Sequence, residues 1–225
     1  MRFGRTTITK IKSNRIYAII VGAFLIRLPL LFFVNPLVLP DSKTYHKLAL
    51  NIVAGFRFGG PIKPDLYRPP LYSGFLALVY SAFGPHAVAA LIIQAALSAG
   101  TCYIVYRIAL TFWDRRVALV AAAIWALGPD MVIFSNLALT ETLYMFLVAA
   151  TLWLLVRSGD SWWGIISAGA LLGLASLTRG AALAFVPLVL VWMLFARRTG
   201  YKKAMAFAAV FLAVITPWLI RNYRV

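Results

Sequence analysis

The sequence predicts an all-α integral membrane protein: about seven transmembrane helices, with two juxtamembrane helices in the first outer loop. Three observations lead there. Hydrophobic residues make up 63% of the 225-residue chain and charged residues only 12%, about half the share that soluble domains carry. Mean hydropathy is +0.87. Lys and Arg number 22 against six Asp and Glu, a formal charge of +16. In a soluble protein that imbalance would point to nucleic acid, but between apolar runs it marks cytoplasmic loops. Nucleic acid is therefore excluded as a partner, and the lipid bilayer is the expected solvent.

Arg2, Arg5, Lys10, Lys12 and Arg15 precede an apolar run over 16–34. The run is too long for a signal-peptide core and lacks a small-residue cleavage site, so it is read as an uncleaved first span. A long outer loop, roughly 35–85, follows. Within it Tyr45, Leu48, Ala49, Ile52, Val53 and Phe56 recur at helical spacing, with Lys43, His46, Lys47 and Asn51 on the other face. That pattern is an interfacial amphipathic helix. Gly55, Gly59, Gly60, Pro61, Pro64, Pro69 and Pro70 then break the chain.

The segment 71–83 is apolar but only 13 residues long, short for crossing about 30 Å of hydrocarbon. Loop charge decides its place. With 71–83 kept at the surface, the basic amino terminus and three cation groups fall on one side: Arg107, Arg115 and Arg116; Arg157; and Arg197, Arg198, Lys202 and Lys203. That side is the cytoplasm. The remaining spans are then near 86–106, 117–136, 140–156, 163–178, 181–196 and 204–220. No internal repeat or low-complexity tract is visible, which argues for one membrane domain over 1–225 and against an inverted-repeat transporter. Cys102, the single cysteine, lies inside an apolar run and is read as a packed small hydrophobe.

Ionisable residues in such a chain are kept for function or for the water boundary. Asp114 and Asp160 belong to cytoplasmic loops, and Asp65 after Pro64 suits a turn. Asp41 follows Pro40 where the first span meets the outer loop. It reads as a helix N-cap, as a general base at the membrane surface, or as both. Glu141, in Leu139-Thr140-Glu141-Thr142, opens the fourth span on the same face, where a carboxylate needs a cavity or a cationic partner. Asp130, after Pro129, is a weaker candidate at a broken helix.

Arg179 closes the fifth span on that face, as a site cation or as one snorkelling to headgroups, and Arg68 sits before Pro69-Pro70 with Lys63 nearby. Arg221 and Asn222 return to it after Pro217-Trp218. Arginines at an interface suit a lipid-linked phosphate, and a carboxylate suits removal of a proton from an acceptor. The same cations would stabilise a departing phosphate. No P-loop, dinucleotide fingerprint or HExxH motif occurs, so no cofactor is called for; a divalent metal is left open.

An ordered series of short motifs runs through most of the chain. It comprises Asp41-x3-Tyr45-x3-Ala49, Tyr67-Arg68-Pro69-Pro70-Leu71-Tyr72, Phe83-Gly84, Gln94, the Phe112 to Arg116 loop, Leu127-Gly128-Pro129, Thr140-Glu141, Leu177-Thr178-Arg179 and Pro217-Trp218-x2-Arg221-Asn222. The series resembles the GT-C superfamily of polyprenyl-phosphate-sugar glycosyltransferases, in the branch of the protein O-mannosyltransferases and the aminoarabinose transferase of lipid A. The resemblance implies an inverting enzyme with Asp41 as catalytic aspartate and Glu141 as a second acidic residue. It implies Arg68 and Arg179, with Lys63 and Arg221, as cations around the donor phosphate, and Tyr45, Tyr72 and Asn222 as lining or acceptor-side residues.

The donor it implies is a polyprenyl-phosphate sugar met on the outer leaflet, in a bacterial or archaeal plasma membrane. The acceptor stays open among protein, lipid and glycan. Two departures stand out. Asp41-Ser42 replaces the Asp-Glu of many relatives, and the sequence stops at Val225 just after the seventh expected span, where relatives continue. The competing readings are a non-catalytic subunit that binds or carries the lipid-linked sugar, and a structural partner in a larger membrane complex.

Overall fold

The computed structural model describes residues 14–55, 58–59, 65–159, 161–197 and 199–224. Lys63, Phe56, Asp160, Arg198 and the cations Arg2, Arg5, Lys10 and Lys12 lie outside the described residues. Regular structure among the described residues is entirely helical.

The first apolar run forms α1 (Asn14–Arg27) and a single further turn, α2 (Leu30–Phe33). Pro29, which has no N–H to give the helix, stands between them. Proline at the first helical position starts each of the next two helices, α3 (Pro40–Val53) and α4 (Pro70–Phe83). Next come α5 (Ala87–Phe112) and α6 (Arg115–Leu127), the latter N-capped by Asp114, whose carboxylate accepts from the N–H groups of Arg116 and Val117. Gly128-Pro129 ends α6, because the residue before a proline is driven out of the helical region. The chain resumes as α7 (Pro129–Ser135) after a 50° bend.

Then follow α8 (Glu141–Arg157) and α9 (Trp162–Thr178). A 3₁₀ turn (Gly180–Ala184), α10 (Phe185–Val191) and a π turn (Trp192–Ala196) form one broken rod before α11 (Tyr201–Arg224).

Among the described residues three stretches are long and apolar enough to cross a membrane: Asn14–Phe33, Ala87–Phe112 and Tyr201–Arg224. The bent pair α6–α7 makes a fourth if it is one span. The count of about seven expected from the sequence thus meets three helices of full length. Pro70–Phe83, Trp162–Thr178 and Gly180–Ala196 are shorter, and the expected 117–136 span is split by Pro129. The apolar surface fits lipid as solvent. Only 17% of the apolar window in the first span is buried by protein, and Phe32 and Phe33 are almost fully exposed. This is an integral membrane protein.

Where lipid surrounds a bundle, close packing rather than hydrophobic burial holds helices together. The α9–α11 contact depends on two glycines one turn apart. A Cβ at Gly169 would lie 2.6 Å from the carbonyl oxygen of Phe207, and one at Gly173 would lie 2.8 Å from Val214. Gly169→Ala is therefore expected to destabilise the bundle by about 1–3 kcal/mol through overpacking. A fall of several degrees in thermal unfolding of the detergent-solubilised protein would show it; an unchanged midpoint would refute the close approach.

Between α1, α5 and α6 sits a fully buried Arg27, whose significance the sequence did not reveal. Its Nε donates to Ser98 Oγ at 3.1 Å and its Nη1 to the carbonyls of Ala23 and Ala126 at 2.6 and 3.1 Å.

The cation clusters gather at one end of the bundle. Arg107 and Arg157 both pack against the ring of Trp153, at 5.9 and 5.2 Å, and Arg197 donates to the carbonyl oxygens of Leu155 and Gly159. Glu141 stands at the other end of the same helix, α8, about 25 Å away at 1.5 Å per residue.

Candidate functional site

Each carboxylate stands in the first turn of a helix, just after the connector that leads into it. The chain from α2 to α3 delivers Asp41, and the chain from α7 to α8 delivers Glu141. Ala138 N–H donates to Pro36 O at 3.0 Å and ties one connector to the other. The second connector is also held from below. Gln94 on α5 donates to Leu137 O at 2.9 Å, and its Oε1 accepts from the hydroxyl of Tyr72 on α4 at 2.5 Å. Tyr72 is thereby fully buried with its hydroxyl engaged. It stands behind Tyr45, edge to face at 5.2 Å, and outside the lining of the cavity described next.

Each carboxylate meets an arginine. Arg68 Nη2 stands 2.9 Å from Asp41 Oδ1, and Arg179 Nη1 stands 2.5 Å from Glu141 Oε1. The N-cap of α3 is Leu39, not Asp41, which lies inside the first turn with no capping hydrogen bond. The N-cap reading is thus set aside, and the Asp41 side chain is 65% exposed. Among the described residues only its Oδ1 is engaged. Asp41, Tyr45, Thr140, Glu141, Thr178 and Arg179 surround an open cavity of about 150 Å³.

The cations are positioned differently from one another. Asp65 Oδ1 accepts from the N–H groups of Tyr67 and Arg68, a turn of the kind expected for it, while its Oδ2 lies 3.5 Å from Arg68 Nη1. Arg68 also lies over the Tyr45 ring at 5.8 Å. Burial works against the Arg68 charge, but the hydrogen bond to Asp41 and the two neighbouring carboxylates outweigh it and raise its pKa. For Tyr45 burial acts in the other direction and raises the pKa, with the Asp41 carboxylate adding to it, so its phenol stays protonated.

Arg221 is spent on the segment between α3 and α4. It donates to the carbonyls of Asp65 and Phe58 at 2.7 and 2.9 Å, donates to Asn222 Oδ1 at 2.7 Å, and stacks on Trp218 at 4.7 Å. Arg221 and Asn222 therefore brace the turn that carries Arg68 rather than line the cavity. Arg221→Met is expected to free that turn, read as faster limited proteolysis between 56 and 67 with the thermal midpoint little changed. Equal cleavage in both proteins would refute the bracing.

Asp65 was assigned from sequence to a turn alone, and its second role beside Arg68 went unseen, although the spacing Asp65-x2-Arg68 carried the signal. Thr140 and Thr178, each adjacent to a predicted residue, were also missed as lining groups. Among the described residues no three His, Cys, Asp or Glu side chains converge as metal ligands.

The family model for dolichyl-phosphate-mannose-protein mannosyltransferase matches residues 67–220, more than half of the chain. The chain belongs to that family. No curated protein and no solved structure matches it. The mannosyltransferase-family match takes in Arg68, Glu141 and Arg179, and Asp41 lies before its first residue. Membership places the chain in the GT-C superfamily of membrane glycosyltransferases.

Proposed function

We propose that this protein moves a sugar from a polyprenyl-phosphate donor to an acceptor on the outer face of the membrane, with Asp41 as general base. The observation that carries this reading is one cavity lined by two carboxylates, each paired with an arginine, in a chain of the mannosyltransferase family. The donor phosphate would take over the donors that Asp41 and Glu141 now hold. Arg68 and Arg179 bind it and stabilise it as it leaves. Release of Asp41 from Arg68 leaves a carboxylate able to accept the proton of an attacking hydroxyl as positive charge grows on the sugar carbon.

In this reading the seven apolar segments each cross the bilayer, the shorter ones with interfacial flanks, and α3 and α4 rest on the outer surface. Support comes from the opposite placement of Glu141 and Arg157 on α8, which sends the cation clusters to the cytoplasmic side. Single cysteines at Lys63 and Arg115, in a background with Cys102 replaced, are expected to label from opposite sides of sealed vesicles. Labelling from the same side would remove the outward orientation.

The chemical test is transfer from radiolabelled polyprenyl-phosphate mannose by purified protein in lipid nanodiscs, with a set of hydroxyl acceptors. Sugar released from lipid in the presence of wild type supports the enzyme. Tight donor binding with no turnover would instead establish a binding or carrier subunit.

A further inference from the structure

Glu141 is the one residue shared by two cavities. Its outward side lines the open cavity with Asp41; on its other side lies a small inner chamber of about 10 Å³, lined by residues of α5, α6, α7 and α8. That volume is about one water molecule. Two donors at this chamber have no partner among the described residues: Thr142 Oγ1, on a side chain more than nine-tenths buried, and the indole Nε1 of Trp125. An unpaired donor in a membrane interior is costly enough that a partner is expected. Thr101, also on the wall, gives its own proton to Leu97 O at 2.8 Å and so presents a lone pair.

The chemistry of this wall selects its occupant. The Glu141 carboxylate repels an anion, and it is already neutralised by Arg179, so a wall that adds an N–H and an O–H donor does not call for a cation. What remains is a neutral molecule of water size that both accepts and donates. The hydrogen-bond count closes for water: it accepts from Trp125 Nε1–H and Thr142 Oγ1–H, and donates to Glu141 and Thr101 Oγ1.

We propose that the inner chamber binds a single water that holds the Glu141 carboxylate from that side, making Trp125 and Thr142 positioning residues for it. When a donor phosphate draws Arg179 away, this water keeps a hydrogen bond on Glu141 and fixes its direction. The positioning role rests on the proposed function; the water site does not.

Two measurements separate them. The first needs no substrate: rapid mixing of the full-length protein in nanodiscs into H₂¹⁸O, then pulsed radiolysis and mass spectrometry of Trp125 and Phe134, which line the chamber. A trapped, slowly exchanging water is expected to hydroxylate them with ¹⁶O. That signal should fall about fivefold in Thr142→Val, the loss of about 1 kcal/mol of hydrogen bonding, and return in Thr142→Ser. No labelling, labelling at the bulk isotope ratio, or equal labelling in Thr142→Val would overturn the water site.

The second is donor affinity and turnover. Thr142→Val is expected to weaken donor binding about fivefold, with Thr142→Ser restoring it. Unchanged binding and turnover in Thr142→Val would overturn the positioning role while the water stands. Absence of donor binding by wild type would sink the proposed function and leave the isotope result intact.

Discussion

Asp41→Asn is expected to lower sugar transfer by about 10²–10⁴-fold, the usual contribution of a positioned general base, with donor binding retained. The substitution keeps the shape of the side chain and a hydrogen-bonding oxygen for Arg68, and removes only the capacity to take a proton. Folding is not the confounder. Asp41 and Arg68 are partly exposed, so their ion pair contributes about 0–1 kcal/mol at most, and the thermal midpoint should scarcely move. Donor affinity should hold or rise slightly, because Arg68 becomes easier to detach from an amide than from a carboxylate. Turnover and affinity measured side by side check this: transfer near wild-type rate by Asp41→Asn would remove Asp41 from the chemistry. Loss of binding with the rate intact would reassign it to the donor site.

The residues of the outer cavity were legible in the sequence for one reason, scarcity. With six acids in 225 residues, each could be asked what it does in a bilayer, and the helix ends near Asp41 and Glu141 could be placed by hydropathy alone. Their arginines were legible too, since Arg68 is followed by two prolines and Arg179 terminates an apolar run. The pairings were not. Arg68 meets Asp41 across 27 positions and Arg179 meets Glu141 across 38, and no local pattern encodes such contacts.

Tyr72 shows the same limit, because its hydroxyl turns inward to Gln94, 22 positions on. Arg27 shows another. In an otherwise apolar span it carried a visible charge, but its burial depends on Ser98 and on the Ala126 carbonyl of two other helices. Helix lengths were half legible. Hydropathy located each apolar run, whereas the bend at Gly128-Pro129 and the 3₁₀ and π turns flanking α10 shorten the helices within those runs.

Arg179→Met is expected to reduce transfer by about 10²–10³-fold, the loss seen when a preorganised donor to a developing anion is removed, and to weaken donor binding as well. Here the alternative explanation is structural, for Arg179 also joins the start of α8 to the end of α9 through Glu141. The double variant Arg179→Met with Glu141→Gln separates the two. Glu141 is only 20% exposed, so in the single variant it is left as a partly buried carboxylate without its cation, and neutralising it relieves that cost. If the arginine served only the ion pair, the double variant would match the Glu141→Gln single variant in both stability and transfer. If the arginine serves the departing phosphate, stability recovers while transfer stays about 10²–10³-fold below that of Glu141→Gln, because only Arg68 faces the phosphate oxygens. Arg179→Lys should fall between, since an ammonium keeps the charge but cannot present two parallel N–H groups to a phosphate.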